Sequence, residues 1–116
     1  KAIKLNPDFA EAYLNLGVVY FEQNKLTEAL SEYKTAIKVR PDYPRAYNNI
    51  GIVYQKMGKM TDAITQFKTA IKLNPSSSSS YFNLGQLYKE QKKLKEALEE
   101  FRKACKLGYQ PACVEK

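Results

Sequence analysis

The chain repeats itself at a fixed interval of 34 residues: Tyr13, Leu16, Gly17, Tyr20, Ala29, Tyr33, Ala36 and Pro41 return as Tyr47, Ile50, Gly51, Tyr54, Ala63, Phe67, Ala70 and Pro75. A third copy reads Tyr81, Leu84, Gly85, Tyr88, Ala97, Phe101 and Ala104. A unit this short cannot enclose its own apolar face, so copies at such a period stack side by side and share one continuous core. The 116 residues, 44% of them apolar, suffice for one elongated folding unit of this kind. Function then belongs to extended surfaces rather than to a closed catalytic pocket.

Within each copy the apolar positions fall at helical spacing. Tyr13, Leu16 and Tyr20 mark a first helix, and Leu26, Ala29, Leu30, Tyr33, Ala36 and Ile37 mark a second. Between them Asn24 and Gly58 hold equivalent places, and both residue types tolerate the left-handed backbone of a sharp helix end. Thr27 and Thr61 are expected to cap the following helix. The third copy has Lys92 and Lys95 at those two places, which predicts a weaker, more frayed turn at a cost of about 1 kcal/mol. Gly17, Gly51 and Gly85, with Ala29, Ala63 and Ala97, put minimal side chains where the paired helices approach closely. Pro41 and Pro75 stop the second helix.

The residues just named resemble the tetratricopeptide repeat, whose pattern carries an aromatic, Leu-Gly, Tyr, Ala, an aromatic, Ala and Pro at these spacings. The resemblance covers Ala10 to Pro111 and implies an all-α fold, a right-handed α-solenoid of antiparallel helix pairs whose first helices line a concave side. It divides the chain into the end of a preceding repeat helix (1–9), repeats over 10–43, 44–77 and 78–111, and the start of a further helix or tail (112–116). Ala2 and Pro7 sit one period before Ala36 and Pro41, so the chain reads as part of a longer array. The run Ser76 to Ser80 departs from the pattern: Ser80 stands where Ala12 and Ala46 pack, and apolar contact is expected to be lost there. Tyr109 replaces the proline, which arrives two residues late as Pro111.

Chemistry is sparse. There is no histidine, which removes the commonest general base and most zinc sites. No glycine-rich phosphate loop is present. Glu28, Glu32, Asp62, Glu96, Glu99 and Glu100 are expected on solvated helix faces, paired with lysines three or four residues away. No catalytic residue, metal site or cofactor is expected, and an enzyme would need a catalytic domain elsewhere in the protein.

In the family, the groove is lined by the second, fifth, sixth, ninth, twelfth and thirteenth positions of each repeat. The sixth is Asn15, Asn49 and Asn83. A row of amides one repeat apart can hydrogen-bond an extended peptide main chain whatever its sequence, and it is similar to the asparagine ladder of O-linked N-acetylglucosamine transferases. The alternative is that each amide bonds within the array or to water. Beside the ladder lie Leu14, Val18 and Phe21, then Asn48, Ile52 and Gln55, then Phe82, Gln86 and Lys89. This groove should be apolar at its amino-terminal end and more polar further on, unless Phe21 and Phe82 merely pack between helices. Family members that grip a carboxyl-terminal carboxylate do so with lysines, an arginine and asparagines. The corresponding positions here are Leu14, Val18, Asn49, Ser79 and Asn83, which supply no cation, so a chaperone-tail clamp is not expected.

The balance of charge is +7. Lys34 and Lys38, Lys68 and Lys72, and Arg102 and Lys106 repeat one helical turn apart on the second helices. Such a stripe could take a phosphate-rich ligand, but no aromatic residue interleaves with it, and a solubilising convex face without nucleic-acid binding is the expectation. No apolar run is long enough to span a bilayer. The stretch from Cys105 to Cys113 resembles the junction of Sel1-like repeats, which implies a Cys105–Cys113 disulfide and an exported protein. Against that, Cys105 holds the buried place of Ile37 and Ile71, and free thiols would suit the cytoplasm. The expected partner is a protein or peptide in the groove, with the recruiting arm of a larger enzyme such as a glycosyltransferase, and end-to-end self-association into a scaffold, as alternatives.

Overall fold

In the computed structural model, which describes residues 7–109, the chain forms α1 (Pro7–Glu22), α2 (Leu26–Val39), α3 (Pro44–Lys56), α4 (Met60–Leu73), α5 (Ser78–Glu90) and α6 (Leu94–Lys106). Helices α1 and α2, α3 and α4, and α5 and α6 pack as hairpins, while α2 against α3 and α4 against α5 join one hairpin to the next. Among the described residues there is no strand. The array measures 54 × 26 × 20 Å.

The small residues explain how closely the paired helices approach. A Cβ on Gly17 would stand 2.5 Å from Tyr33 Cε1, and one on Gly51 would stand 2.6 Å from Phe67 Cε1. Each aromatic of a second helix thus packs against the backbone of the first, in the space that a side chain there would need. Ala29, Ala63 and Ala97 are buried beside them.

All three hairpin turns close by backbone hydrogen bonds alone. Lys25, Lys59 and Lys93 donate their N–H groups to the carbonyls of Tyr20, Tyr54 and Tyr88, each at 2.8 Å. This is the Schellman closure, and it needs a left-handed residue one position earlier. Asn24 (φ 63°), Gly58 (φ 80°) and Lys92 (φ 64°) supply it. The expected threonine caps do not form. Helices α2 and α4 start one residue before Thr27 and Thr61, and Lys25 and Lys59 occupy the N-cap with no side-chain bond. Lys93 does the same for α6, with nearly identical backbone angles, so the third turn is closed as fully as the others. Its one difference is that a lysine, rather than asparagine or glycine, carries the left-handed backbone.

Helices α2 and α4 end at Val39 and Leu73, with Arg40 and Asn74 in extended backbone before Pro41 and Pro75, as the ring of a following proline requires. Helix α6 lacks that proline and ends instead on Gly108 at φ 99°, with Tyr109 N–H closing onto the Ala104 carbonyl at 3.0 Å. The α2–α3 loop is fastened by the Tyr47 hydroxyl donating to the Pro41 carbonyl at 3.0 Å and by the Arg40 guanidinium 4.4 Å above the Tyr43 ring.

Two further expectations are corrected. Ser80 is fully buried, but its hydroxyl donates to Asn48 Oδ1 at 3.0 Å and lies 2.9 Å from Ser77 Oγ. A polar junction therefore replaces the apolar one. The carboxylates expected to pair along the helices do not. The ion pair found among the described residues is Arg40 with Asp42, at 3.8 Å, because long exposed side chains gain little by being held together in water.

Candidate functional site: the groove of the first helices

Successive first helices leave a cleft of about 240 Å³, lined by Val18, Phe21 and Glu22 from α1, Tyr33 from α2, and Asn49 and Ile52 from α3. Val18, Phe21 and Ile52 are half-buried, so their apolar surface is in part still available. The Lys56 ammonium stands 5.8 Å from the Phe21 ring centre, placing a cation beside the apolar floor. Among the described residues, the Asn15 and Asn49 amides form no hydrogen bond within the chain, Asn15 being exposed and Asn49 half-buried.

Glu22 and Tyr33 were not among the groove residues expected from sequence. Glu22 holds the thirteenth position of its repeat, which the family's groove-facing positions include, so the signal was there. Tyr33 matched the buried aromatics Phe67 and Phe101, and only its hydroxyl distinguishes it. Burial, and secondarily the nearby Glu22 carboxylate, pushes that hydroxyl's pKa up to about 12. It therefore stays neutral, able both to donate and to accept a hydrogen bond.

Other expected groove residues are placed differently. Leu14, Asn48 and Phe82 share the fifth position, which points toward the following repeat and not into open space. Leu14 is fully buried with Ala46, Ile50 and Val53 in the core between the first two hairpins. Asn48 is also buried, and its Oδ1 is occupied by Ser80 and, at 3.3 Å, by the Asn83 amide. Phe82 spends its ring on Phe101 (5.4 Å between centres) and Tyr109 (4.8 Å). Leu14 and Asn48 are thus junction residues, Phe82 is chiefly a packing residue, and Asn83 is partly committed to the array. Gln86 and Lys89 are exposed; Gln55 bonds Glu90 Oε2 at 3.3 Å.

Outside the groove, Lys34, Lys38, Lys68, Lys72, Arg102 and Lys106 are all exposed. Lys38, Lys72 and Lys106 sit in the last turns of their helices, where a cation offsets the helix dipole. That gives the basic stripe a structural reason of its own. Cys105 is half-buried and disulfide-bonded, and Cys113 lies outside the described residues.

Hairpins in register, a glycine under each aromatic, and a cleft between first helices define a helical-repeat protein that presents an extended surface. The chain belongs to the tetratricopeptide repeat family: a family profile described as "Tetratricopeptide repeat" matches residues 42–108, and one described as "TPR repeat" matches residues 1–24 and 19–58. A crystal structure of MamA is similar at TM-score 0.81 and 30% identity, over 89% of this chain and 60% of that one. The chain thus spans less than two thirds of the MamA chain. The first TPR of Spaghetti (RPAP3), solved bound to the HSP90 peptide SRMEEVD, is similar at TM-score 0.85 and 25% identity, over 92% of this chain and 85% of that one. No curated protein matches. Among the described residues no helix is long and apolar enough to cross a membrane.

Proposed function

We propose that the chain is a non-catalytic interaction module whose first-helix groove takes an extended peptide or a helix of another protein. The observation that carries this reading is the cleft between α1 and α3: apolar surface from Val18, Phe21 and Ile52 beside the unbonded amide of Asn49. An apolar anchor side chain fits between the three, while Asn15 and Asn49 hold the main chain on either side of it. That a similar repeat unit in Spaghetti binds a peptide supports the reading. The ligand class differs, however. Leu14, Ser79 and Asn83 supply no cation where a carboxylate clamp needs one, so the peptide SRMEEVD is not the expected ligand here.

The groove is tested by selecting peptides from a random library on the wild-type chain and measuring the selected peptides by calorimetry against two variants. Asn15→Ala/Asn49→Ala and Val18→Asp should each weaken binding about tenfold or more, as expected for a lost hydrogen-bonding pair or anchor site, with helicity unchanged. Peptides that bind both variants as tightly as wild type would place the ligand site elsewhere.

A further inference from the structure

The repeats differ at one place where the loop after a second helix meets the hairpin that follows. In the α2–α3 loop the Tyr47 hydroxyl donates to the Pro41 carbonyl at 3.0 Å and fastens the chain there. One period on, the hydroxyl of Tyr81 forms no hydrogen bond to Pro75 or to any other group among the described residues. A second change accompanies the first. The position of Lys103 is held in the earlier repeats by Thr35 and Thr69, whose hydroxyls bond back to the carbonyls of Ser31 and Thr65 at 3.0 and 2.9 Å. Lys103 instead reaches across to α5, its ammonium 5.7 Å from the centre of the Tyr81 ring.

Here a cleft of about 190 Å³ is lined by Pro75, Tyr81, Lys103, Lys106 and Leu107. Its walls are of two kinds: apolar surface from Tyr81, Pro75 and Leu107, and the two ammonium groups. Both lysines stand in the last turn of α6, where α2 and α4 carry one each, Lys38 and Lys72. A single cation there answers the helix dipole, which accounts for Lys106 and leaves Lys103 without that reason. Neither lysine forms an ion pair among the described residues, although Glu100 lies one turn before Lys103 on the same helix. The cleft is smaller than the roughly 300–1,000 Å³ of sites for drug-sized ligands, so it suits one group of side-chain size.

We infer that this cleft is a second binding site, independent of the groove, and that it takes a phosphate monoester carried on an aromatic ring. The phosphate sits against the Lys103 and Lys106 ammoniums with the Tyr81 hydroxyl as a further donor, and the ring lies on the apolar wall of Pro75, Leu107 and Tyr81. Two cations match the charge of about −1.5 to −2 that such a phosphate carries at neutral pH, whereas a carboxylate brings only one. Lysine meets a phosphate as a point charge and demands no fixed angle of approach. The net charge of +7 draws anions to the whole surface, and the apolar wall selects among them. A free aryl phosphate and the phosphotyrosine side chain of a peptide present the same chemistry to the cleft.

Titration of the isotope-labelled chain with phenyl phosphate, inorganic phosphate and a short phosphotyrosyl peptide, followed by amide chemical shifts, tests the site. Phenyl phosphate should move the Tyr81, Lys103 and Leu107 signals to saturation and bind more tightly than inorganic phosphate. Lys103→Thr, which restores the residue type of Thr35 and Thr69, combined with Lys106→Gln should weaken binding about fivefold or more, as two exposed ion pairs are lost. Lys34→Gln with Lys38→Gln removes the same charge from α2 and should leave binding unchanged. All four lysines are exposed, and circular dichroism should show wild-type helicity; Lys103→Gln alone serves if the double variant at the cleft loses it. A peptide that binds more tightly than phenyl phosphate assigns the site to a phosphorylated partner, and equal affinities assign it to the free aryl phosphate; both support the inference. Signals that do not move at millimolar phenyl phosphate would overturn it. So would inorganic phosphate binding as tightly, or an equal loss in the Lys34 and Lys38 variant, since either means attraction to net charge alone.

Discussion

The Ser80 hydroxyl donates to Asn48 Oδ1 at 3.0 Å across the junction of α3 and α5, and both side chains are buried. One repeat earlier the same two positions are Leu14 and Ala46, both fully buried in an apolar core. The array therefore builds one junction by apolar packing and the next by hydrogen bonding, on the same backbone geometry. Removing one partner of a buried bond leaves the other unsatisfied at about 1–3 kcal/mol, whereas replacing both with apolar groups of matching shape is close to neutral. Ser80→Ala and Asn48→Leu should each destabilise the chain by about 1 kcal/mol or more, and the double variant should return to wild-type stability or above. Urea denaturation of the four proteins checks this. Additive losses would show that the two side chains do not act as a pair.

Lys92 is the one hairpin-turn residue that holds a left-handed backbone without being asparagine or glycine, at φ 64°. A side chain with a Cβ costs about 1–2 kcal/mol there, and glycine returns part of that gain through its freer unfolded chain. Lys92→Gly is expected to stabilise the protein by about 0.5–1 kcal/mol. The midpoint of denaturation should rise at unchanged slope. A fall would mean that the lysine stem contributes packing that its exposed position does not suggest.

At the second hairpin, a Cβ on Gly51 would meet three atoms of the Phe67 ring at 2.6–2.9 Å. Phe67 is fully buried and cannot swing aside, so Gly51→Ala forces the helices apart at a cost of about 1–3 kcal/mol. Adding Phe67→Leu to that variant should recover part of the loss, although Phe67→Leu alone destabilises. The rescue separates overpacking from helix propensity, which by itself favours alanine over glycine.

Much of this architecture was legible because its causes are local and recur. Gly17 and Tyr33, Gly51 and Phe67, and Gly85 and Phe101 contact each other at a constant sequence separation, and the hairpin follows from the pattern. The turns were read less well, since threonine hydroxyls suggested caps at Thr27 and Thr61 where backbone groups close the turn themselves. Of the residues expected in the groove, Val18, Phe21, Asn49 and Ile52 line the cleft, whereas Leu14 and Asn48 are buried at the junctions between repeats. Their position lies at the edge between groove and neighbouring repeat, and what they meet depends on the facing residue one repeat away, which a within-repeat pattern does not encode. Glu22 carries its signal in the thirteenth position of its repeat, whereas the Tyr33 hydroxyl is one oxygen on a packed ring and leaves the hydrophobic pattern unchanged.

Glu100 gives the fold a pH dependence of unusual sign for a carboxylate. Burial against the hairpin raises its pKa, and the neighbouring Glu99 adds to this, while Lys103 on the same helix and Lys68 from α4 pull it back. The folded chain therefore holds this proton more tightly than the unfolded chain does. The stability it contributes is complete below the unfolded carboxylate pKa and is lost as pH rises through the higher folded value. Glu100→Gln keeps the shape and removes the charge, so it should raise the melting temperature at neutral pH and leave it nearly unchanged in acid. Thermal melts of both proteins across the carboxylate range give the difference curve, which should climb with pH and then level off. A difference independent of pH would show that the Glu100 carboxylate is as well solvated in the folded chain as in the unfolded one.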